Sequence, residues 1–408
     1  MRLTLTPALA LLPLLACGQR ALTDLSADEQ AVVLGHNELA LDLMAAAPAD
    51  QNLFIGSFSI TSALGMTYAG AAGQTAEEMA AVMHVNVEDG TFHEALGAIS
   101  RDLNGQHKGY DLLSGNRLWG QKRLGFERDF LDITAKDYGA ELKELDFDRD
   151  SEAARRDINR WVSRQTNGHI DEALQRGDVS RETKLALTNV MYFHADWAEA
   201  FEADSTSPQD FTLADGEVVR APMMSGTNPA GLYVDEEVSV LRLPYKGEEI
   251  SFIAILPAEH DGLAALEEGL SVSQLDAWLN RIEGGTSDVD IQLPKFSMSH
   301  RLSLKPLLKD LGMPLAFDPE LADFSGMTND TKLSVADVIH EARIDLDEEG
   351  TTAVAFTVVI MTDYTLTVRD QREFIADHPF LFMIRDDVTG AILFMGRMVD
   401  PTLAQPAD

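Results

Sequence analysis

The spacing of apolar and polar residues changes along the chain, from a helical period in the first half to short apolar runs in the second. Helical spacing predicts amphipathic helices over LSADEQAVVLGHNELALDLMAAAP, with Ser26 as the N-cap, and over TAEEMAAVMHV and SEAARRDINRWVSRQT. From Lys184 onward, apolar runs predict strands, among them LALTNVMYFHA, VLRLPYK, EISFIAILP and DVDIQLPKFSM. Helices that come before the strands, rather than alternating with them, indicate the α+β class.

The C-terminal part of the chain contains two further strand signals. HPFLFMIRDDVTGAILFMGRMVDP predicts a hairpin of two apolar strands around a turn at 386–390. Upstream of it, EEGTTAVAFTVVIMTDYTLTVRD extends from Glu348 to Asp370 and leads from two acids and a glycine into an almost uncharged, β-branched run. A run of this composition pairs with any strand edge that it meets, so its presence in a soluble chain requires an explanation.

Composition and charge narrow the classes of protein that need to be considered. The 408 residues are 45% hydrophobic and 24% charged, which is an ordinary globular composition with enough apolar side chains for a large core. The 67 acidic and 32 basic residues give a net charge of −35 at pH 7. Nucleic acids and anionic membrane surfaces bind clustered Lys and Arg, so we expect neither as a partner. An acidic, solubilising surface explains the charge more simply.

The N-terminal segment MRLTLTPALALLPLLACGQR predicts export. Arg2 precedes an apolar run that is too short to span a bilayer as a helix. The run ends in LLAC, which resembles the lipobox of bacterial lipoprotein precursors. We therefore expect residues 1–16 to be a signal peptide and Cys17 to be lipidated, giving a cell-envelope lipoprotein whose lipid is its only membrane contact. Leu15 is unusual at its position, so secretion after ordinary cleavage is the alternative.

Motifs for enzymatic chemistry are absent from the sequence. It contains no G-x-S-x-G, H-E-x-x-H, P-loop or G-x-G-x-x-G motif, so we expect no catalytic activity and no cofactor. Asp146, Asp148 and Asp150 imitate the first ligands of a calcium loop, but Ser151 replaces the glycine of the turn and Asp157 the bidentate Glu. Acids at the start of a helix explain this pattern better. Cys17 is the only cysteine, so no disulfide framework exists.

A serine and a histidine invite a nucleophilic interpretation, which we do not favour. Ser59 lies in GSFSITSAL and His340 in the apolar segment LSVADVIHEARIDLD. A single histidine in an apolar strand is more often a core group held by a hydrogen bond than a catalytic base. We therefore expect His340 to be structural.

Several segments, in order along the chain, resemble the serpin family of serine protease inhibitors. NLFIGSFSITSALGMTYAGAAGQTAEEM carries the run Gly70-Ala71-x-Gly73-x-Thr75, and LALTNVMYFHADWAEAF carries Asn189 and Trp197 in the family pattern. INRWVSRQTNGHI, LPKF and FIADHPFLFMI match further family blocks, and DLDEEGTTAVA resembles the hinge of the reactive-centre loop. One departure is Gly56-Ser57, where the family usually has Ser-Pro, and it affects a local turn.

The resemblance implies one domain over residues 17–408 with the α+β serpin fold: three β-sheets, eight or nine helices and an exposed reactive-centre loop at about 348–373. It implies a monomeric suicide-substrate inhibitor of a serine endopeptidase, sometimes of a cysteine protease. It also places Ser59, Asn189 and His340 in a hydrogen-bonded shutter beneath the central sheet. Trp197 and the pair Lys295–Glu348 would then lie where the loop begins.

The same resemblance explains the apolar run after Glu348-Glu349-Gly350 as a strand held in reserve behind a flexible hinge. After cleavage, the loop would insert into the large sheet and carry the covalently bound protease with it. Side chains alternate along a strand, so one face holds small residues first and apolar residues later: Thr351, Ala353, Ala355, Thr357, Val359 and Met361. Phe356, on the other face, is larger than the family's usual residue. A permanent edge strand is the alternative, which the polar hinge disfavours.

The family's count from Gly350 places the reactive bond at Tyr364–Thr365. A tyrosine there suits a protease with a deep apolar specificity pocket, that is, a chymotrypsin-like enzyme. A shift of register would move the bond to Met361, Leu366 or Arg369, and Arg369 would suit a trypsin-like enzyme. The remaining alternatives are a non-inhibitory serpin that acts as a protease substrate or binding scaffold, and a surface lipoprotein with a role in adhesion or assembly.

Overall fold

The computed structural model describes residues 25–105, 109–166, 168, 170, 172–282, 287–351 and 372–404. Nine α-helices lie in this part of the chain: α1 Ala27–Ala46, α2 Ser57–Tyr68, α3 Gly73–Val82, α4 Asp89–Leu103, α5 Arg128–Tyr138, α6 Phe147–Gln165, α7 Leu263–Gly269, α8 Val272–Arg281 and α9 Lys305–Leu311. Among these described helices, none combines the length and the apolar character that a bilayer crossing would require.

The described residues also form fifteen strands, most of them in the second half of the chain. They are β1 Leu53–Ile55, β2 Tyr110–Gln121, β3 Leu142–Leu145, β4 Leu185–Asp196, β5 Ser207–Thr212, β6 Val218–Val234, β7 Val238–Pro244, β8 Ile250–Pro257, β9 Ser287–Pro294, β10 Phe296–Ser303, β11 Ile339–Leu346, β12 Gly350–Thr351, β13 Glu373–Ile375, β14 Phe380–Asp386 and β15 Ile392–Met398. Most of the strand pairs are antiparallel, and the helices do not alternate regularly with the strands, which confirms the predicted α+β class.

Hydrogen bonds join these strands into a six-stranded sheet and a nine-stranded sheet, and the long strand β6 divides the nine-stranded one into two parts. The central sheet has the order β10-β11-β12-β4-β2-β3. The second sheet has the order β1-β15-β14-β8-β7-β6, and the third contains β5, β6, β9 and β13. Strand β6 belongs to both because its residues 223–230 pair with β9 and its residues 231–234 pair with β7. With this division at β6 the sheets number three, as expected from the sequence.

Helix α1 starts where the sequence predicts it. The hydroxyl of Ser26 accepts a hydrogen bond from the backbone N–H of Glu29 at 3.2 Å, and the Glu29 carboxylate accepts one from the Ser26 N–H at 2.8 Å. This capping box satisfies backbone donors that the first turn would otherwise leave unpaired, which is worth about 1 kcal/mol. One side of the helix then buries Val32, Leu39 and Leu43 in the main core.

The predicted C-terminal hairpin is present as β14 and β15 in the interior of the second sheet. Every residue of β15 and of β8, the two strands that flank β14, is buried, which explains why both are continuous apolar runs rather than alternating ones. In the turn, the Asp386 carboxylate accepts a hydrogen bond from the Thr389 N–H at 3.0 Å. Gly390 has a φ of 82°, a left-handed conformation that glycine adopts without strain.

The segment that imitates a calcium loop forms the first turns of α6. Asp148 accepts a hydrogen bond from Lys184 at 2.7 Å, and Asp150 accepts one from the Ala153 N–H at 2.8 Å. Asp150 has non-helical backbone angles, so its carboxylate caps the straight part of the helix that follows. Within the described part of the chain, no group of His, Cys, Asp and Glu side chains has an arrangement that could hold a metal ion.

Candidate functional site

The hinge segment 347–351 forms a tight hairpin at one end of the central sheet. Asp347 donates its backbone N–H to the carbonyl of Gly350 at 3.0 Å. Its carboxylate accepts hydrogen bonds from the N–H groups of Glu349 and Gly350 at 2.9 and 3.2 Å. Burial raises the pKa of Asp347, and these two backbone donors oppose the rise. The polar hinge expected from the sequence is a turn in the structure, which the Asp347 carboxylate closes through these two hydrogen bonds.

After the turn, Gly350 and Thr351 form β12 in the middle of the central sheet. Thr351 pairs with Leu346 of β11 on one side and with Ala195 of β4 on the other, and Gly350 pairs with Asp196. A Cβ atom on Gly350 would lie 2.1 Å from the carbonyl oxygen of Ala195. Because that contact is with backbone, no side-chain movement could relieve it, and the position requires glycine.

Thr351 is 3% exposed, and two side chains from distant parts of the chain hold it. Its hydroxyl lies 2.7 Å from the Tyr245 hydroxyl. Its carbonyl oxygen lies 2.9 Å from Nδ1 of His194. A carbonyl oxygen can only accept, so His194 carries a proton on Nδ1. Neither residue was predicted from the sequence, because nothing in their local patterns indicates a contact with the hinge.

Glu348 and Lys295, which the sequence analysis expected to pair, lie 3.1 Å apart between Oε2 and Nζ. Thr206, which the sequence analysis did not consider, donates its hydroxyl to Oε1 of Glu348 at 2.6 Å. Partial burial alone would raise the pKa of Glu348, but the hydrogen bonds from Thr206 and from Lys295, together with the charge of Lys295, hold it below its usual value. The carboxylate is therefore ionised at neutral pH.

Trp197 connects the hinge hairpin to β4. Its indole N–H donates to the carbonyl of Asp347 at 2.9 Å, and its backbone N–H donates to the carbonyl of Glu349 at 2.7 Å. The indole is 1% exposed and stacks on Tyr245, with ring centroids 4.6 Å apart and planes 7° from parallel. Trp197 thus binds both sides of the turn and also fixes the ring that reaches Thr351.

Ser59 and Asn189 lie in contact beneath the central sheet. The Ser59 hydroxyl donates to Oδ1 of Asn189, and Nδ2 of Asn189 donates to Oδ1 of Asn116 at 2.6 Å. Asn116 in turn donates to the carbonyl of Tyr138 at 2.9 Å. The chain of hydrogen bonds joins α2 to the neighbouring strands β4 and β2 and to the end of α5. Asn116 was not among the residues predicted from the sequence.

His340 belongs to a different contact. Its Nε2 accepts a hydrogen bond from the backbone N–H of Gly56 at 2.9 Å. Burial lowers the pKa of His340 to about 4, so the ring is neutral at physiological pH. The expected single network of Ser59, Asn189 and His340 is therefore two networks, because the histidine turns toward the start of α2. The donor in this contact, the backbone N–H of Gly56, lies at the position where Gly56-Ser57 replaces the family's usual Ser-Pro.

Other residues singled out in the sequence lie outside the part of the chain that the structure describes. They are the lipidation candidate, the later hinge alanines and the reactive bond: Cys17, Ala353, Ala355, Tyr364 and Thr365.

Next to Thr351, a cleft lies between β4 and β11. Its described walls include Met191 and Phe193 of β4, Ile344 of β11, and Phe54 and Ile384 from the second sheet. Tyr192, Arg343 and Asp345 also line this cleft, and its apolar walls suit the apolar face of a strand.

Sequence comparison identifies the family. The model of the family described as "Serpin (serine protease inhibitor)" matches residues 35–401. The chain is a serpin. The human leukocyte elastase inhibitor is 36% identical over 375 residues, which cover 90% of this chain and 98% of that protein. The leukocyte elastase inhibitor of Xenopus laevis is 38% identical, with coverage of 86% and 93%. An uncharacterized serpin-like protein of Thermococcus kodakarensis is 36% identical, with coverage of 91% and 86%.

Structural comparison gives the same family. The thermophilic serpin tengpin in its native state superimposes on this serpin with a TM-score of 0.81 and 27% identity, over 90% of this chain and 94% of tengpin. Uncleaved ovalbumin superimposes with a TM-score of 0.79 and 26% identity, over 91% of this chain and 100% of ovalbumin. The serpin fold, expected from the sequence blocks, is confirmed.

Proposed function

We propose that this serpin is a suicide-substrate inhibitor of a chymotrypsin-like serine endopeptidase. The protease would attack the bond Tyr364–Thr365 and form an acyl-enzyme with the new C-terminus at Tyr364. The cleaved loop would then insert as a strand between β4 and β11, carrying the protease along before water can hydrolyse the ester. The serpin would be consumed in this reaction, and it would contribute no catalytic turnover of its own.

The observation that carries the proposal is the position of β12. A hairpin turn sends the chain from β11 back into the central sheet, and the first two residues after the turn lie between β11 and β4. The next residues of the sequence are small and then apolar on the face that would be buried. Strand β4 has 12 residues and is therefore about 40 Å long at about 3.3 Å per residue, so full insertion would move the protease by a comparable distance.

The proposed class of target rests on two supports. Relatives with 36–38% identity are named leukocyte elastase inhibitors, which favours serine endopeptidases. Tyr364, at the position that would enter the specificity pocket, favours a protease with a deep apolar pocket. We further propose that the protein acts as a monomer outside the cytoplasm, held at the cell envelope by a lipid on Cys17 or secreted.

Phe356 supports one competing proposal, a serpin that proteases cleave without being trapped. Its large side chain lies in the part of the loop where the family has a small residue, and it would slow insertion. Incubation with a panel of chymotrypsin-like and trypsin-like serine proteases separates the two. A protease–serpin complex that survives SDS, with release of the C-terminal peptide that starts at Thr365, supports inhibition. Quantitative cleavage by every protease, with full recovery of protease activity, overturns it.

A further inference from the structure

The uncut chain already holds Thr351 inside the central sheet. Its backbone lies between β11 and β4, its side chain is buried, and its hydroxyl meets that of Tyr245. Tyr245 is 106 residues away in sequence and belongs to the segment between β7 and β8. The contact therefore ties the start of the loop to the second sheet before any protease acts.

Tyr245 is rigidly placed for this contact. Its ring stacks on Trp197 and meets the edge of Phe193 at a centroid distance of 5.3 Å, and the residue is 0% exposed. Burial raises the pKa of its hydroxyl above the usual value, so the hydroxyl stays protonated at neutral pH. In the described part of the chain, Thr351 is the partner of this hydroxyl. A buried hydroxyl that loses its partner is costly, so the geometry favours the state with Thr351 in the sheet.

We propose that Tyr245 is a positioning residue for loop insertion: it holds Thr351 in the sheet of the uncut protein, so that insertion starts from a strand whose first residue is already paired. Ordering the first residues of a free chain costs backbone entropy. Because the contact orders Thr351 before cleavage, that cost does not add to the barrier for insertion while the acyl-enzyme can be hydrolysed. The consequence for inhibition rests on the proposed function, whereas the hold on Thr351 concerns the uncut protein alone.

Hydrogen–deuterium exchange of the full-length, uncut protein tests the hold directly. Tyr245→Phe keeps the stack on Trp197 and removes only the hydroxyl, and Thr351→Val removes the same hydrogen bond from the other side. Each variant should speed exchange of the backbone N–H of Thr351 by about twofold to tenfold, which is the value of one hydrogen bond. The double variant should exchange no faster than the faster single variant, because both remove one shared interaction.

Tyr68→Phe is the matched control, because it removes another buried tyrosine hydroxyl, one that donates to Asp89. It should leave exchange at the hinge unchanged. The proposal is overturned if neither Tyr245→Phe nor Thr351→Val changes exchange there, or if their effects multiply in the double variant.

A second measurement keeps this proposal separate from the proposed function. With a protease that the wild type traps, Tyr245→Phe should be cleaved at the wild-type rate but should need more serpin molecules per protease inactivated. An unchanged ratio would overturn the positioning role. If exchange responds as expected but the wild type traps no protease, Tyr245 holds the hinge and the proposed function fails.

Discussion

Lys295 and Glu348 form an ion pair that joins the hinge hairpin to the end of the third sheet's strand β9. The ammonium and carboxylate groups are 3.1 Å apart, and the two side chains are 21% and 13% exposed. Lys295 lies between β9 and β10, so the pair connects the loop's first turn to strands of two different sheets. This arrangement leads to the first prediction.

Glu348→Lys should accelerate spontaneous polymerisation or the transition to a latent monomer, because two ammonium groups would face each other and release the turn. The loss at equilibrium should be small, about 1 kcal/mol, since partly exposed pairs stabilise little. Size-exclusion chromatography of the uncut protein over days at 37 °C, together with residual inhibitory activity, measures the effect. Glu349→Lys is the matched control. Equal lifetimes of Glu348→Lys and wild type would contradict this role of the pair.

A second prediction concerns His378, between β13 and β14. Its Nδ1 lies 2.7 Å from Asp377 Oδ1 and its Nε2 lies 2.7 Å from the Pro257 carbonyl. Both partners accept, so only the doubly protonated ring satisfies both. Burial alone would lower the pKa of His378, but the hydrogen bonds to Asp377 and Pro257 outweigh burial and raise it. His260, whose ring lies 5.2 Å away, also faces this site.

A folded-state pKa above the unfolded value stabilises the protein below about pH 6.5, and this stabilisation is lost as the pH rises through the raised value. Thermal unfolding should therefore show stability falling above neutral pH, and His378→Gln should remove that slope. Other buried histidines do not interfere, because burial lowers the pKa values of His36, His93 and His340 to about 4. His260→Gln is the control. A slope that persists unchanged in His378→Gln would contradict the prediction.

A third prediction is that cleavage stabilises the protein. After cleavage at Tyr364–Thr365, the loop should add a strand between β4 and β11 and bury its apolar face. That burial should raise the melting temperature by about 10 °C or more, whereas a nick in an ordinary loop lowers it. Differential scanning calorimetry of the intact and the cleaved protein measures the change. A melting temperature that stays the same or falls after cleavage would show that the loop does not insert.

Local features of the structure could be read from the sequence because their causes are local. The Ser26 capping box lies within one helical turn, and the turn at 386–390 is made by the acid and glycine that predicted it. Buried strands such as β8 are recognisable as apolar runs. The pairing of Glu348 with Lys295 came from the family resemblance and not from any pattern in the residues.

The contacts that define the hinge could not be predicted because they join distant residues. Thr206 is 142 residues from Glu348, and Gly56 is 284 residues from His340. A hydrophobic pattern reports on neighbours along one element and contains no information on which side chains meet across sheets. The turn at the hinge was missed for a different reason: the Asp347 carboxylate binds N–H groups only two and three residues away, and this local signal was not used.

A fourth prediction concerns Cys17, the residue after LLA at the end of the N-terminal apolar run. Lipidated protein should begin at Cys17 and fractionate with membranes, because several acyl chains anchor a protein firmly where one binds only marginally. Cys17→Ser should release the protein or leave it unprocessed. Mass spectrometry of the mature N-terminus decides the matter. A mature chain that starts elsewhere, without lipid, would favour ordinary secretion.

The last prediction tests inhibition through Thr351. Thr351→Arg would place a charge where the wild type buries a hydroxyl beside that of Tyr245. Burial of an unpaired charge costs several kcal/mol, so the variant should keep its hinge out of the sheet. Each rise of about 1.4 kcal/mol in the barrier slows insertion about tenfold, while hydrolysis of the acyl-enzyme continues at its own rate.

Thr351→Arg should therefore be cleaved after Tyr364 as fast as wild type and should release active protease. The measurement is the number of serpin molecules consumed per protease inactivated, low for wild type and far higher for the variant. Thr351→Ser, which retains the hydroxyl, should behave as wild type. The cleaved arginine variant should also show a smaller gain in melting temperature than the cleaved wild type, because its inserted loop would have to bury the charge. If the arginine variant still traps protease with wild-type efficiency, Thr351 does not need to lie in the sheet, and trapping must follow another route.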